Sequence, residues 1–67
     1  MLGVVKRGKG RYLFVASYGI DYFAYDPKHT LEDGDLVWFA PGASDKGPVA
    51  NDIMKVRGKD ESERETT

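Results

Sequence analysis

Sixty-seven residues, 40% hydrophobic and 31% charged, make one small globular domain with no room for a large enclosed active site. The absence of cysteine excludes disulfide staples, thiolate zinc sites and cysteine nucleophiles, and no apolar run approaches the ~18 residues a spanning helix needs. Ten Lys and Arg against eleven Asp and Glu give a formal net charge of −1, which makes no case for a nucleic-acid partner, but the distribution is uneven: Lys6, Arg7, Lys9 and Arg11 come early with no acid among them, and Glu32, Asp33 and Asp35 cluster in mid-chain.

Turn-forming residues punctuate the chain at short intervals, and the segments between them are β-branched and aromatic, the pattern of a small all-β barrel or sandwich. Five strands are predicted, over Leu2–Arg7, Arg11–Ala16, Asp21–Tyr25, Asp35–Ala40 and Val49–Lys55, with no helix of useful length. Their separators are Gly8-Lys9-Gly10, Tyr18-Gly19-Ile20, the long Asp26–Gly34 connection and a Pro41–Pro48 loop with Pro-Gly and Lys-Gly-Pro turn signals. From Arg57 onward no residue is apolar, so residues 1–56 are the expected folded domain and 57–67 a charged flexible tail. No signal-peptide h-region follows Met1, so the expected location is cytoplasmic, without a membrane partner.

Side chains alternate across a strand with period two, which sorts the residues by face. Leu13 and Val15 point one way and Tyr12 and Phe14 the other; Tyr22 and Ala24 share one face, Phe23 and Tyr25 the opposite one. If Val5, Leu13, Val15, Ala24, Val37, Phe39 and Ile53 fill the barrel, then Tyr12, Phe14, Phe23 and Tyr25 form an exposed aromatic platform on two sequential strands, beside a strand rich in Lys and Arg. That combination suits bases stacked on rings with phosphates on cations. The competing reading of the same periodicity is that these aromatics are simply core.

Several segments resemble the bacterial cold-shock family. Gly3-Val4-Val5-Lys6 is similar to its first strand, Gly10-Arg11-Tyr12-Leu13-Phe14-Val15 to its first RNP-like motif, and Asp21-Tyr22-Phe23-Ala24-Tyr25 to its second. Asp33-Gly34-Asp35-Leu36-Val37-Trp38-Phe39 and Lys46-Gly47-Pro48-Val49-Ala50-Asn51-Asp52-Ile53 resemble two further family signatures, so the likeness extends over Gly3–Val56. It implies a five-stranded OB-type barrel that binds single-stranded RNA or DNA. Tyr12 and Phe14 then take the places of the first motif's stacking rings, Phe23 and Tyr25 those of the second motif's Phe and His, Lys6 that of the first-strand Lys, and Lys46 with Pro48 those of the loop bordering the binding face. The chain departs from the pattern at Arg7 and Asp26, where the family carries aromatics, and in its shortened Gly8-Lys9-Gly10 loop.

Other residues are less informative. Trp38 should face outward, either covering a neighbouring loop or anchoring a partner or a second copy. His29 reads as an ordinary surface residue, because no other nitrogen or sulfur ligand accompanies it, and Asp33-Gly34-Asp35 as a turn, because the rest of a calcium loop is missing. No metal or cofactor is expected, and with no nucleophile, base and orienting group in any recognisable constellation, neither is an enzyme. The expectation is thus a binder of single-stranded nucleic acid that stacks bases on Tyr12, Phe14, Phe23 and Tyr25 and holds phosphates with Lys6, Arg7, Lys9, Arg11 and Lys46. The alternative is a protein-interaction or self-associating module on the same barrel, using the aromatic face and Trp38.

Overall fold

A computed structural model describes residues 1–58. Five strands, β1 (Leu2–Arg7), β2 (Tyr12–Ser17), β3 (Ile20–Tyr25), β4 (Leu36–Ser44) and β5 (Gly47–Arg57), close into a barrel in the order β1-β2-β3-β5-β4, with no helix among the described residues. All-β architecture and five strands agree with the sequence reading. The pairs are antiparallel except β3 with β5, which run parallel and meet at Phe23↔Val49.

The interior is aliphatic and aromatic in the arrangement that alternation dictates. Val5, Leu13, Val15, Ala24, Val37 and Phe39 are buried, and Phe39, Leu13, Val5, Val15 and Val37 have almost no exposed surface. Tyr22 joins them with its ring 4.9 Å from that of Phe39. Ile53 packs against this core from a partly buried position, while Ala50 and Leu31 are buried in it. Gly3 also faces inward: a Cβ there would collide with Val15 Cγ1, and would lie 2.9 Å from the Ala16 carbonyl oxygen and 3.0 Å from the Phe39 ring. No larger residue fits between those groups.

The predicted Pro41–Pro48 loop is corrected: β4 and β5 continue as one long hairpin to a two-residue turn at Asp45-Lys46, with Pro41 opposite Ala50 and Pro48 opposite Ala43. Proline suits an edge strand, and β1 pairs only with Leu36–Trp38 while Met1 bonds to the Phe39 backbone, so beyond Phe39 the other side of β4 has no partner strand among the described residues. In the turn the Ser44 hydroxyl accepts from Lys46 N–H and donates to the Gly47 carbonyl. The β2–β3 hairpin closes on Tyr18 and Gly19, both at positive φ (51° and 80°), the primed geometry that matches strand twist. Arg57 and Gly58, assigned from sequence to the tail, belong to the folded part: Arg57 is the last residue of β5 and pairs with Leu36, and Gly58 is buried; the rest of the predicted tail, 59–67, lies outside the described residues.

The long connection between β3 and β4 is tied down by two carboxylates. Asp35 accepts from Glu32 N–H, and its carboxylate lies 3.7 Å from Lys55 Nζ. Gly34 N–H donates to the Val5 carbonyl and Arg7 N–H to the Asp33 carboxylate, so Asp33-Gly34-Asp35 forms a turn clamped onto β1. Among the described residues no group of acids, His or Cys is arranged to hold a metal, and no helix is long and apolar enough to cross a membrane. His29 is exposed, 3.6 Å from the Glu32 carboxylate.

Candidate nucleic-acid interface

Because the inner residues of β2 and β3 are fixed by the core, the residues between them must point outward. Tyr12, Phe14, Phe23 and Tyr25 are between 37% and 56% exposed, whereas the alternate residues Leu13, Val15, Tyr22 and Ala24 are buried. The register places Tyr12 opposite Tyr25 and Phe14 opposite Phe23. The rings touch: centroids lie 5.4 Å apart for Tyr12–Tyr25, 5.3 Å for Tyr12–Phe23 and 5.8 Å for Phe14–Phe23, with interplanar angles of 43°, 32° and 69°. Such tilted and edge contacts hold each ring in place and leave outer π-faces free. The four aromatics therefore form an exposed cluster, not a core.

Cationic groups border two sides of this cluster. Lys6 stands opposite Phe14 on β1, with its ammonium 3.7 Å from Asp21 Oδ1, both side chains largely exposed. A screened pair of that length contributes little and leaves the ammonium open to a stronger anion. On the other side, a cleft of about 450 Å³ opens between Phe14 and Phe23 and the β4–β5 turn, where Lys46, Pro48, Val49, Asp21 and Ser44 line it. Lys9 and Arg11 are exposed on the connection leading into Tyr12.

Arg7 is elsewhere. Its side chain is 6% exposed, and Nη1 donates to Asp26 Oδ2 at 2.7 Å and to the Leu31 carbonyl at 3.0 Å, while Nη2 donates to the Gly10 carbonyl. Its Nε is buried without a hydrogen-bond partner among the described residues. The guanidinium is thus committed to the interior and is removed from the proposed set of phosphate contacts. Asp26 also accepts from Thr30 N–H, Thr30 Oγ1 and Leu31 N–H. Burial by itself raises the Asp26 pKa, but these four donors outweigh it and bring the carboxyl down from 3.8 to about 2. The two positions at which the chain departs from the aromatics of the cold-shock pattern are therefore partners, and their buried ion pair pins the connection after β3 across the end of β1.

Sequence reading missed Asp21 and Val49 as parts of this site. Asp21 was accessible to it, since alternation puts residue 21 on the face of Phe23 and Tyr25. Val49 was not, because its place beside Phe23 depends on the parallel β3–β5 pairing. Trp38 is outward as expected, but its neighbours are Leu2 and Met54 on the flanking strands and not a loop. No protein-family model matches the chain, and neither a curated protein nor a solved structure is significantly similar to it.

Proposed function

We propose that this chain binds single-stranded RNA or DNA, in the manner of the cold-shock proteins its motifs resemble, by stacking bases on Tyr12, Phe14, Phe23 and Tyr25. The observation that carries this reading is a cluster of four exposed rings, joined in a chain by three ring contacts, on the outside of a barrel whose core is filled by other residues. Every base has a π-face, so such a surface recognises single strands with little regard to sequence. Lys6 and Lys46 flank the rings and Lys9 and Arg11 approach them along the chain, where they serve the phosphates; Pro48 forms apolar wall in the cleft beside Phe14. Bound this way a strand stays unpaired, and no covalent chemistry is involved.

A protein-interaction module with little nucleic-acid affinity is the second reading, favoured by the Arg7–Asp26 pair, which withdraws one cation and two expected ring positions from the face. Titration of the full chain with oligo-dT and oligo-U at low salt, followed by Phe14→Ala and Phe23→Ala, separates the two. Saturable binding weakened roughly 10-fold or more by either substitution supports stacking. Absence of binding to both oligonucleotides at low salt would refute it.

A further inference from the structure

The barrel exposes a second apolar surface. Leu2 on β1, Trp38 on β4 and Met54 on β5 stand opposite one another in register, forming a single row across three adjacent strands, and they are 47%, 52% and 66% exposed. Val4 and Val56, also exposed, extend the surface along β1 and β5 toward the Leu36 end of β4. In the closed order β1-β2-β3-β5-β4, the strand across the barrel from the β2–β3 pair is β4, so this row lies on the back of the molecule, opposite the rings. It is free of charge and has none of the cations that border the platform. A contiguous exposed apolar row of this kind, centred on a tryptophan, is the composition of an interface anchor.

Charge narrows the choice of occupant. Residues 59–67 read Lys-Asp-Glu-Ser-Glu-Arg-Glu-Thr-Thr and include no apolar side chain that could cover the row. The flanks of the row on β5 are of opposite sign: exposed Asp52, at the bulge where β5 gains a residue on β4, precedes Met54, while Arg57 and the half-exposed Lys55, whose ammonium also lies 3.7 Å from the Asp35 carboxylate, follow it. A two-fold axis lying along the row sets β5 antiparallel to β5 of a second copy. Met54 then meets Met54, Trp38 meets Trp38, and the acidic side of each strand faces the basic side of the other. Self-complementarity of that kind is what an isologous contact requires.

We propose that the Leu2–Trp38–Met54 face joins two copies of this chain back to back, with the aromatic platforms turned outward on opposite sides of the dimer. A contact limited to one face of so small a barrel belongs to the class below ~1,200 Å² in total, so the association is weak and concentration-dependent. This inference does not rest on nucleic-acid binding, and its test uses no oligonucleotide.

Trp38 is the sole tryptophan and reports on its own surroundings. The full chain is taken from about 1 µM to about 1 mM, a range that covers weak dissociation constants, with sedimentation and Trp38 fluorescence read at each concentration. Expected are a rise in mass toward twice the monomer and a blue shift of the emission as the indole leaves water. Trp38→Ser and Met54→Ser, both at exposed positions, should melt near the parental temperature and weaken association at least about 10-fold, and Asp52→Lys should weaken it more at low salt than at high salt. A monomer throughout the range, with unshifted emission, overturns the proposal and leaves the face to a different partner. Dimerisation that survives both Trp38→Ser and Met54→Ser overturns the assignment of the face.

Discussion

The two outer surfaces of this barrel expose comparable side chains and differ in what surrounds them. On β2 and β3, four rings touch one another, with Lys6 on one border and Lys46 across a cleft on the other. On β1, β4 and β5, an aliphatic residue, a tryptophan and a methionine stand in one row with no charge among them. Apolar exposure is common to both and so does not discriminate between partners. Cations beside π-faces suit a polyanion with flat bases; an uncharged row with opposite charges at its two flanks suits a polypeptide that matches it. The contrast can be broken at several points.

The largest effect belongs to the residues that make both surfaces possible. Phe39 is fully buried at the centre of the core. Phe39→Ala should lose ~3–5 kcal/mol, as much as a domain of this size is expected to have, and so fail to fold by thermal melting and circular dichroism. Phe14→Ala should melt within a few degrees of the parent. If Phe14→Ala unfolds the domain instead, the rings are structural and the distinction between platform and core collapses.

Next in size is the Arg7–Asp26 pair, which decides where the aromatic face ends. Asp26→Asn would leave the buried guanidinium without a counter-charge and weaken the ties to Thr30 and Leu31, and removal of one partner from a buried pair destabilises by ~3–5 kcal/mol. The pH dependence follows from the carboxyl. Its folded pKa of about 2 lies below the ordinary value of 3.8, so the native state favours the ionised form. The resulting stabilisation, on the order of 2 kcal/mol, is fully present above the unfolded value and is lost as the pH falls through about 2. Urea melts of the parent at intervals from pH 6 to pH 2 should therefore show a loss of stability below pH 4, and that component should be missing from any Asp26→Asn chain stable enough to melt. A parent equally stable at pH 6 and pH 2 would show that Asp26 is not held as described.

Much of this contrast was legible in the sequence, for a local reason. Alternation in Tyr12-Leu13-Phe14-Val15 and Tyr22-Phe23-Ala24-Tyr25 separates rings from core residues without any knowledge of the partner strands. What stayed hidden depends on residues distant in the chain. Arg7 and Asp26 read as two independent departures, one of them a phosphate contact, because nothing local shows that they meet. Pro41 and Pro48 read as loop because proline lacks an N–H, yet the hairpin passes through both beyond the reach of β1. Leu31, alone among polar neighbours, gives no periodic signal and is nevertheless buried in the core. The row on the back was visible only as Trp38, since its other members are brought into register by β1–β4 and β4–β5 pairing.

A smaller effect separates the rings from the row. Phe23→Ala should reduce affinity for oligo-dT by roughly 10-fold, within the ~1–3 kcal/mol that stacking contributes per base, with little change in melting temperature. Trp38→Ser should leave that affinity unchanged when measured on monomer at low protein concentration. A loss of oligonucleotide affinity in Trp38→Ser equal to that in Phe23→Ala would mean the nucleic acid reaches the back of the barrel, and the two faces would no longer be separate sites.

The smallest effect tests which cations serve the rings. With Arg7 committed to Asp26, four remain beside or leading to the platform: Lys6, Lys9, Arg11 and Lys46. Each phosphate contact on a single strand contributes ~0.7 to the slope of log affinity against log salt, so full engagement gives about −2.8, and partial engagement about −2. If Arg7 contributed as well, the slope would approach about −3.5, and its ion pair with Asp26 would have to open on binding. Lys9→Ala removes an exposed charge that has no ion-pair partner among the described residues, so it should flatten the slope by about 0.7 and lower affinity only a few-fold, leaving the melting temperature alone. Fluorescence titrations with oligo-dT from 20 to 300 mM salt are sufficient to read a difference of that size. A slope near zero in the parent would remove the phosphates from the platform altogether, and both apolar surfaces of the barrel would then have to be read as sites for polypeptide.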